Sequence, residues 1–167
     1  PPTVTVSVRE STATYDNLLT TRAFTVNVPS AARIRETDFF GMVSGHEGPK
    51  LAATGIATTK AELVYAPSLE AFPLVLECEV RRTLRIGLHT LFIGEVRDVK
   101  ADADILGENG LPRMDLLDPV LFLASDANYY RVAESLGRTF TVGNDLLVRQ
   151  DASAGVGEDS PPPIFKD

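Results

Sequence analysis

The chain has 167 residues with 16 Lys+Arg against 23 Asp+Glu, a formal net charge of −7. One domain is the expectation at that length, and 44% hydrophobic with 23% charged residues is globular rather than disordered composition. The acidic balance argues against nucleic acid or anionic lipid as partner, a single cysteine excludes an internal disulfide framework and a CxxC zinc site, and no apolar run approaches the roughly 18 residues of a membrane helix. Thr3 to Val8 alternates, with Val4, Val6 and Val8 on one face, which predicts a half-buried strand. Thr14 is positioned to cap a short helix from Tyr15 to Thr20, and Phe24, Val26 and Val28 mark a second strand ending at Pro29. Ser30 is the expected N-cap of a helix to about Phe40, stopped by Gly41. Residues 41–73 read as a long irregular connection with one helical turn near Lys50 to Thr54, and loops of that length are usually functional or poorly ordered.

Leu74 to Thr83 alternates again, with Leu74, Leu76, Cys78 and Val80 facing in. Glu77 and Glu79 then fall on a solvated or subunit-facing side. A turn at Gly87 leads to a long strand from His89 to about Lys100, whose central Gly94 signals a bulge or a close backbone approach. Asp126 is expected to cap a helix from Ala127 to Leu136, Arg138 to Val142 offers one more strand, and the tail with Pro161-Pro162-Pro163 reads as extended. About five strands with few helices favour an antiparallel barrel over a doubly wound sheet. The chain begins Pro1-Pro2, without an initiator Met or a signal-peptide pattern, so a cytoplasmic protein with earlier residues is expected.

The stretch from Arg9 to Asn17 carries the most chemistry. Hydroxyls at Ser11, Thr12 and Thr14 gather before a helix start beside the Arg9 guanidinium, and a helix N-terminus attracts phosphate. The plainer reading is a capped helix with a solvated arginine, and Asp16 in the first turn opposes an anion. Ser44, Gly45 and His46 with Lys50 form a polar group that either touches a ligand or is a surface loop. His89 is either a donor near a reacting ring or an ordinary strand-edge histidine. The two histidines lack the spacing of a metal pair, Cys78 reads as a buried apolar-like thiol, and no GxSxG, Walker or GxGxxG motif occurs.

Taken in order, Val6-Ser7-Val8-Arg9 to Tyr15-Asp16-Asn17, Ala23-Phe24-Thr25-Val26-Asn27-Val28-Pro29-Ser30 and Phe39-Phe40-Gly41-Met42-Val43-Ser44-Gly45 with Lys50 resemble the flavin reductase-like, FMN-binding split-barrel family, in its flavoredoxin branch. Leu76-Glu77-Cys78, Gly87-Leu88-His89-Thr90-Leu91-Phe92-Ile93-Gly94-Glu95-Val96 and Tyr129-Tyr130 to Phe140 continue the resemblance. It covers residues 1–143 as one domain and leaves 144–167 as a C-terminal extension. The resemblance implies a mainly β fold, a six-stranded split β-barrel with a few short peripheral helices, usually a homodimer with FMN near the interface. It implies that Arg9, Thr12 and Thr14 hold the FMN phosphate, that Ser44 and Lys50 lie close to the flavin, and that His89 stands catalytically where nicotinamide approaches. The family's segment along the isoalloxazine ring would precede Pro1. The implied activity passes reducing equivalents from NAD(P)H through FMN to free flavin, a monooxygenase partner or a small redox protein. The alternatives are an FMN-bound electron carrier without a nicotinamide site, and a split-barrel module that has lost flavin.

Overall fold

The computed structural model describes residues 1–132 and 134–146. Two compact units, Pro1–Val132 and Ala133–Asp167, divide the chain. In the first, a four-stranded antiparallel sheet has the order β1-β6-β5-β2, built from β1 (Thr3–Arg9), β2 (Ala23–Val28), β5 (Leu74–Ile86) and β6 (His89–Ala101). Two small hairpins accompany it: β3 (Thr58–Lys60) with β4 (Pro67–Leu69), and β7 (Val120–Leu123) with β8 (Asn128–Arg131). The helices are short: α1 (Ala13–Thr21), α2 (Ile34–Met42) after a 3-10 turn at Ala31–Arg33, α3 (Lys50–Thr54) and α4 (Met114–Leu117).

Strands β5 and β6 form the spine. Ile86 pairs with His89, so Gly87 and Leu88 make a two-residue turn, and Gly87 takes the positive φ of +59° that such turns ask for. Register shifts leave Arg97 of β6 unpaired beside Glu77 and Cys78, and Arg81 of β5 unpaired between Val80 and Arg82; these bulges accompany the curl of the sheet into a half-barrel. The core on one face gathers Leu18, Val80 and Phe92 with Val6, Val8, Tyr15 and Phe24 around them. Tyr15 meets Phe92 edge-on, with ring centroids 5.8 Å apart. Gly94 makes the close approach its place in the strand signals: a Cβ there would lie 2.6 Å from the Phe24 ring.

Several local expectations give way for identifiable reasons. Thr12, not Thr14, caps α1: its Oγ1 accepts from the Tyr15 N–H at 3.3 Å and donates to the Arg9 carbonyl at 2.9 Å. Helix α2 begins only after the 3-10 turn and runs through Gly41 to Met42. Asp126 accepts from the Asn128 N–H at 3.1 Å and Ala127 has φ +55°, so the aspartate makes a hairpin turn into β8 instead of capping a helix. Arg138 to Val142, in the second unit, is a local turn in which the Arg138 carbonyl accepts from Thr141 and Val142. The tail with Pro161 lies outside the described residues.

The sharpest departure concerns Glu77. Both faces of β5 are covered here, so Val75 and Glu77 at one set of alternate positions and Cys78 and Val80 at the other are all buried. Glu77 is wholly inside rather than on a solvated face. Cys78 is buried as expected, and burial pushes its thiol pKa up, away from nucleophilic chemistry.

Candidate functional site

A groove of about 720 Å³ runs beside α1, over β2, and under the β3–β4 hairpin. Thr14 and Asn17 stand three residues apart on α1 and so share the face that forms one wall. Phe24 on β2 supplies apolar lining, its ring seated against the bare backbone of Gly94. The hairpin contributes Lys60 and Tyr65, whose ammonium and ring centroid are 6.0 Å apart. Lys50 enters from the start of α3. Its Nζ donates to the Phe40 carbonyl at 2.9 Å and the Val43 carbonyl at 3.2 Å, at the C-terminal end of α2, where a cation is favoured. An ammonium has three donors, so one remains for a ligand.

The other expected site residues stand near this groove in different ways. Thr12 spends its hydroxyl on the cap, which leaves the first N–H groups of α1, at Ala13 and Thr14, without helical partners. Ser44 accepts from the His46 N–H at 3.2 Å, and its own N–H donates to the Glu47 carboxylate at 3.3 Å. That loop lies against the start of α1: a Cβ on Gly45 would come 2.9 Å from the Ala13 Cβ, and His46 Nε2 is 3.5 Å from the Asp16 carboxylate. The imidazole thus faces the acidic group that most opposes an anion there. Arg9 opens onto a second cavity of about 180 Å³ with Ser11, Arg85 and Leu88. Arg85 pairs with Glu10 at 2.7 Å, while Arg9 makes no ion pair among the described residues. His89 is exposed at the end of β6, opposite Arg9 on one side and Ile86 on the other.

The structure therefore brings Thr14 and Lys50 into one groove, sets Thr12 and Ser44 at the helix start beside it, and puts Arg9 and His89 at the neighbouring end of the sheet. Asn17, Phe24, Lys60 and Tyr65 also line the groove without being site candidates from the sequence. The spacing of Asn17 from Thr14 was a usable signal; Lys60 and Tyr65 lie in the stretch read as an irregular connection. Among the described residues, no cluster of three or more His, Cys, Asp or Glu side chains could hold a metal ion, and no helix is long and apolar enough to cross a membrane.

Residues 1–130 match the flavin reductase like domain. The chain belongs to that family. Among solved structures, the family member resembles the flavoredoxin of Desulfovibrio vulgaris (Miyazaki F), with 38% identity, a TM-score of 0.82, and coverage of 86% of this chain and 76% of that one. It is also similar to the flavoredoxin of Methanosarcina acetivorans, at 29% identity and TM-score 0.81, over 87% and 77% of the two chains. A Shewanella frigidimarina protein with a split barrel domain, 20% identical with TM-score 0.72 over 83% and 70% of the chains, shares the fold. The curled sheet with its short helices is thus a mainly β split barrel. Sequence relatives of uncharacterised function from Archaeoglobus fulgidus (27% identical over 99 residues, 59% of this chain) and Pyrococcus abyssi (31% over 96 residues, 58%) are matched over 56% and 55% of their own lengths. The matched stretch spans little more than half of these relatives.

Proposed function

We propose that this flavin reductase-like chain binds FMN in the 720 Å³ groove and passes reducing equivalents from NAD(P)H to a flavin or redox-protein acceptor. The observation that carries this reading is the groove's composition. The free N–H groups at the start of α1, Thr14 and the third donor of Lys50 suit a phosphate or a polar ring edge, and Phe24 and Tyr65 suit a planar ring. Arg9, without an ion pair among the described residues, is the candidate for a bidentate phosphate contact. Bound FMN supplies hydride and electron transfer. The chain supplies the rest. Thr12 holds the helix start so that its amides stay presented. Lys50, anchored on two carbonyls, keeps a fixed positive charge in the groove, which favours an anionic form of whatever occupies it. Ser44 and His89 complete the reading, the first near the ring, the second as the donor where nicotinamide approaches.

A homodimer belongs to this reading. Leu84, Ile86 and Leu88 are exposed together at the tip of the β5–β6 hairpin, which supports contact with a second copy. The similarity to two flavoredoxins favours a second reading, an electron carrier that holds FMN but has no nicotinamide site. One experiment separates them: FMN is titrated into the protein by fluorescence, then NADH or NADPH is added anaerobically and flavin absorbance followed. Binding with rapid bleaching is expected. Binding without bleaching selects the carrier, and unchanged FMN fluorescence refutes both.

A further inference from the structure

One wall of the groove hangs on a charged group that the flavin reading does not use. Glu77, in the middle of β5, is wholly buried, yet its carboxylate is fully engaged. Oε1 accepts from the Glu62 N–H at 3.0 Å and Oε2 from the Leu63 N–H at 2.7 Å. Lys100, on the neighbouring β6, stands 3.8 Å from Oε1 and also binds the Glu62 carboxylate at 3.0 Å and Asp98 at 2.9 Å. The two amides belong to the turn between β3 and β4, which the Ala61 N–H closes by donating to the Ala66 carbonyl at 3.0 Å. That turn carries Tyr65 into the groove, next to Lys60 at the end of β3.

Apolar packing also holds the hairpin, with Ala61 and Val64 buried against Ala23, but its own strand pairing is slight. Strands β3 and β4 pair over only three residues each, too few for independent stability. Its base is tied to β2, where Thr25 Oγ1 donates to the Pro67 carbonyl at 2.5 Å and Asn27 Oδ1 accepts from the Leu69 N–H at 2.8 Å. Among the described residues, Glu77 and Lys100 are the ones outside the hairpin that reach its tip by polar contact. Burying a carboxylate is costly unless donors and a countercharge satisfy it, and an apolar residue at this position would stabilise a sheet at least as well. The distinctive effect of the carboxylate is location: two parallel acceptors fix two successive amides.

We propose that Glu77 is the positioning residue of the groove, latching the tip of the β3–β4 hairpin so that Tyr65 and Lys60 stand at the height a ligand requires. The proposal rests on the reading that the groove takes FMN.

The test compares the wild-type chain with Glu77→Gln and Glu77→Ala, and with Ile105→Val, a buried change outside the groove, as a stability control. Two quantities are read: hydrogen exchange of the Glu62 and Leu63 amides without ligand, and Kd for FMN. Gln keeps one acceptor and turns an NH₂ toward the other N–H. Exchange at the two amides and the FMN Kd should then each rise about tenfold, a loss on the scale of one charge-assisted hydrogen bond. Ala should do more, and Gln carries the test if Ala does not fold. Ile105→Val should leave both unchanged at a comparable drop in melting temperature. Unaltered exchange in Glu77→Gln overturns the latch. Faster exchange with an unchanged Kd overturns its role in binding, as does Ile105→Val reproducing both effects. A wild-type chain that does not bind FMN refutes the flavin reading instead, and exchange alone then decides the latch.

Discussion

Glu77 and Glu79 stand two residues apart on β5 and live in different worlds. Glu77 is sealed beneath the hairpin and held by backbone amides. Glu79 has 43% of its side chain exposed and shares Arg81 (3.0 Å) and Arg97 (3.5 Å) with Glu95, which binds the same two arginines at 2.8 and 3.2 Å. Around the groove, polar groups thus commit to fixed backbone partners: Glu77, Thr25, Asn27 and, from α3, Lys50. Beyond the cover of the hairpin, charges are shared among exposed side chains. Fixed backbone partners define a shape, and a ligand groove needs one. Exposed ion pairs contribute about 0–1 kcal/mol each and can be exchanged without altering that shape.

This contrast can be broken or sharpened in steps. The largest effect outside Glu77 is expected at Gly94, where an added Cβ meets the Phe24 ring at 2.6 Å. Gly94→Ala must push the ring toward the groove, so we expect a loss of about 1–3 kcal/mol in urea unfolding, together with weaker FMN binding by calorimetry. An unchanged midpoint would mean that the sheet yields there. Next is Thr12→Ala, which removes the cap of α1 and should cost about 1 kcal/mol, with Thr12→Ser restoring most of it. The same pair should order FMN affinity in the same way.

The smallest effect belongs to the solvent side. Arg97→Gln should change stability by at most about 0.5 kcal/mol at neutral pH. Acid is the better probe of the exposed carboxylates. Hydrogen bonding to Arg81 lowers the Glu95 pKa, and hydrogen bonding to Lys100 lowers that of Asp98. Groups whose folded pKa is lowered stabilise the fold above the ordinary carboxylate range and lose that contribution as pH falls through the lowered values. Melting temperature should therefore stay flat from about pH 8 to 6 and fall below about pH 4. A fall beginning near neutrality would point to other groups.

Much of this was legible in the residues. The alternation of Thr3 to Val8, the run from His89 to Lys100 and the turn at Gly87 declare the sheet because one face of each strand meets a core. Lys50 to Thr54 forms the helical turn expected there. Thr14 is readable as a hydroxyl at a helix start, and Lys50 as part of a polar group after a helix. What stayed hidden depends on contacts distant in sequence or on competing local bonds. Thr12 and Thr14 are chemically equal, and the Arg9 carbonyl chooses between them. Asp126 serves a turn as readily as a helix. Glu77 sits in perfect alternation with Glu79, and only the hairpin whose amides lie fourteen and fifteen residues upstream covers it.

On the reading proposed above, the groove between α1, Phe24 and the β3–β4 hairpin receives the flavin. Its most direct test follows backbone amide resonances of the full chain during an FMN titration. The account predicts saturable shifts at Thr14, Asn17, Phe24 and Tyr65, with residues of the β7–β8 hairpin unmoved. Absence of binding, or shifts that spare these four residues, would contradict it.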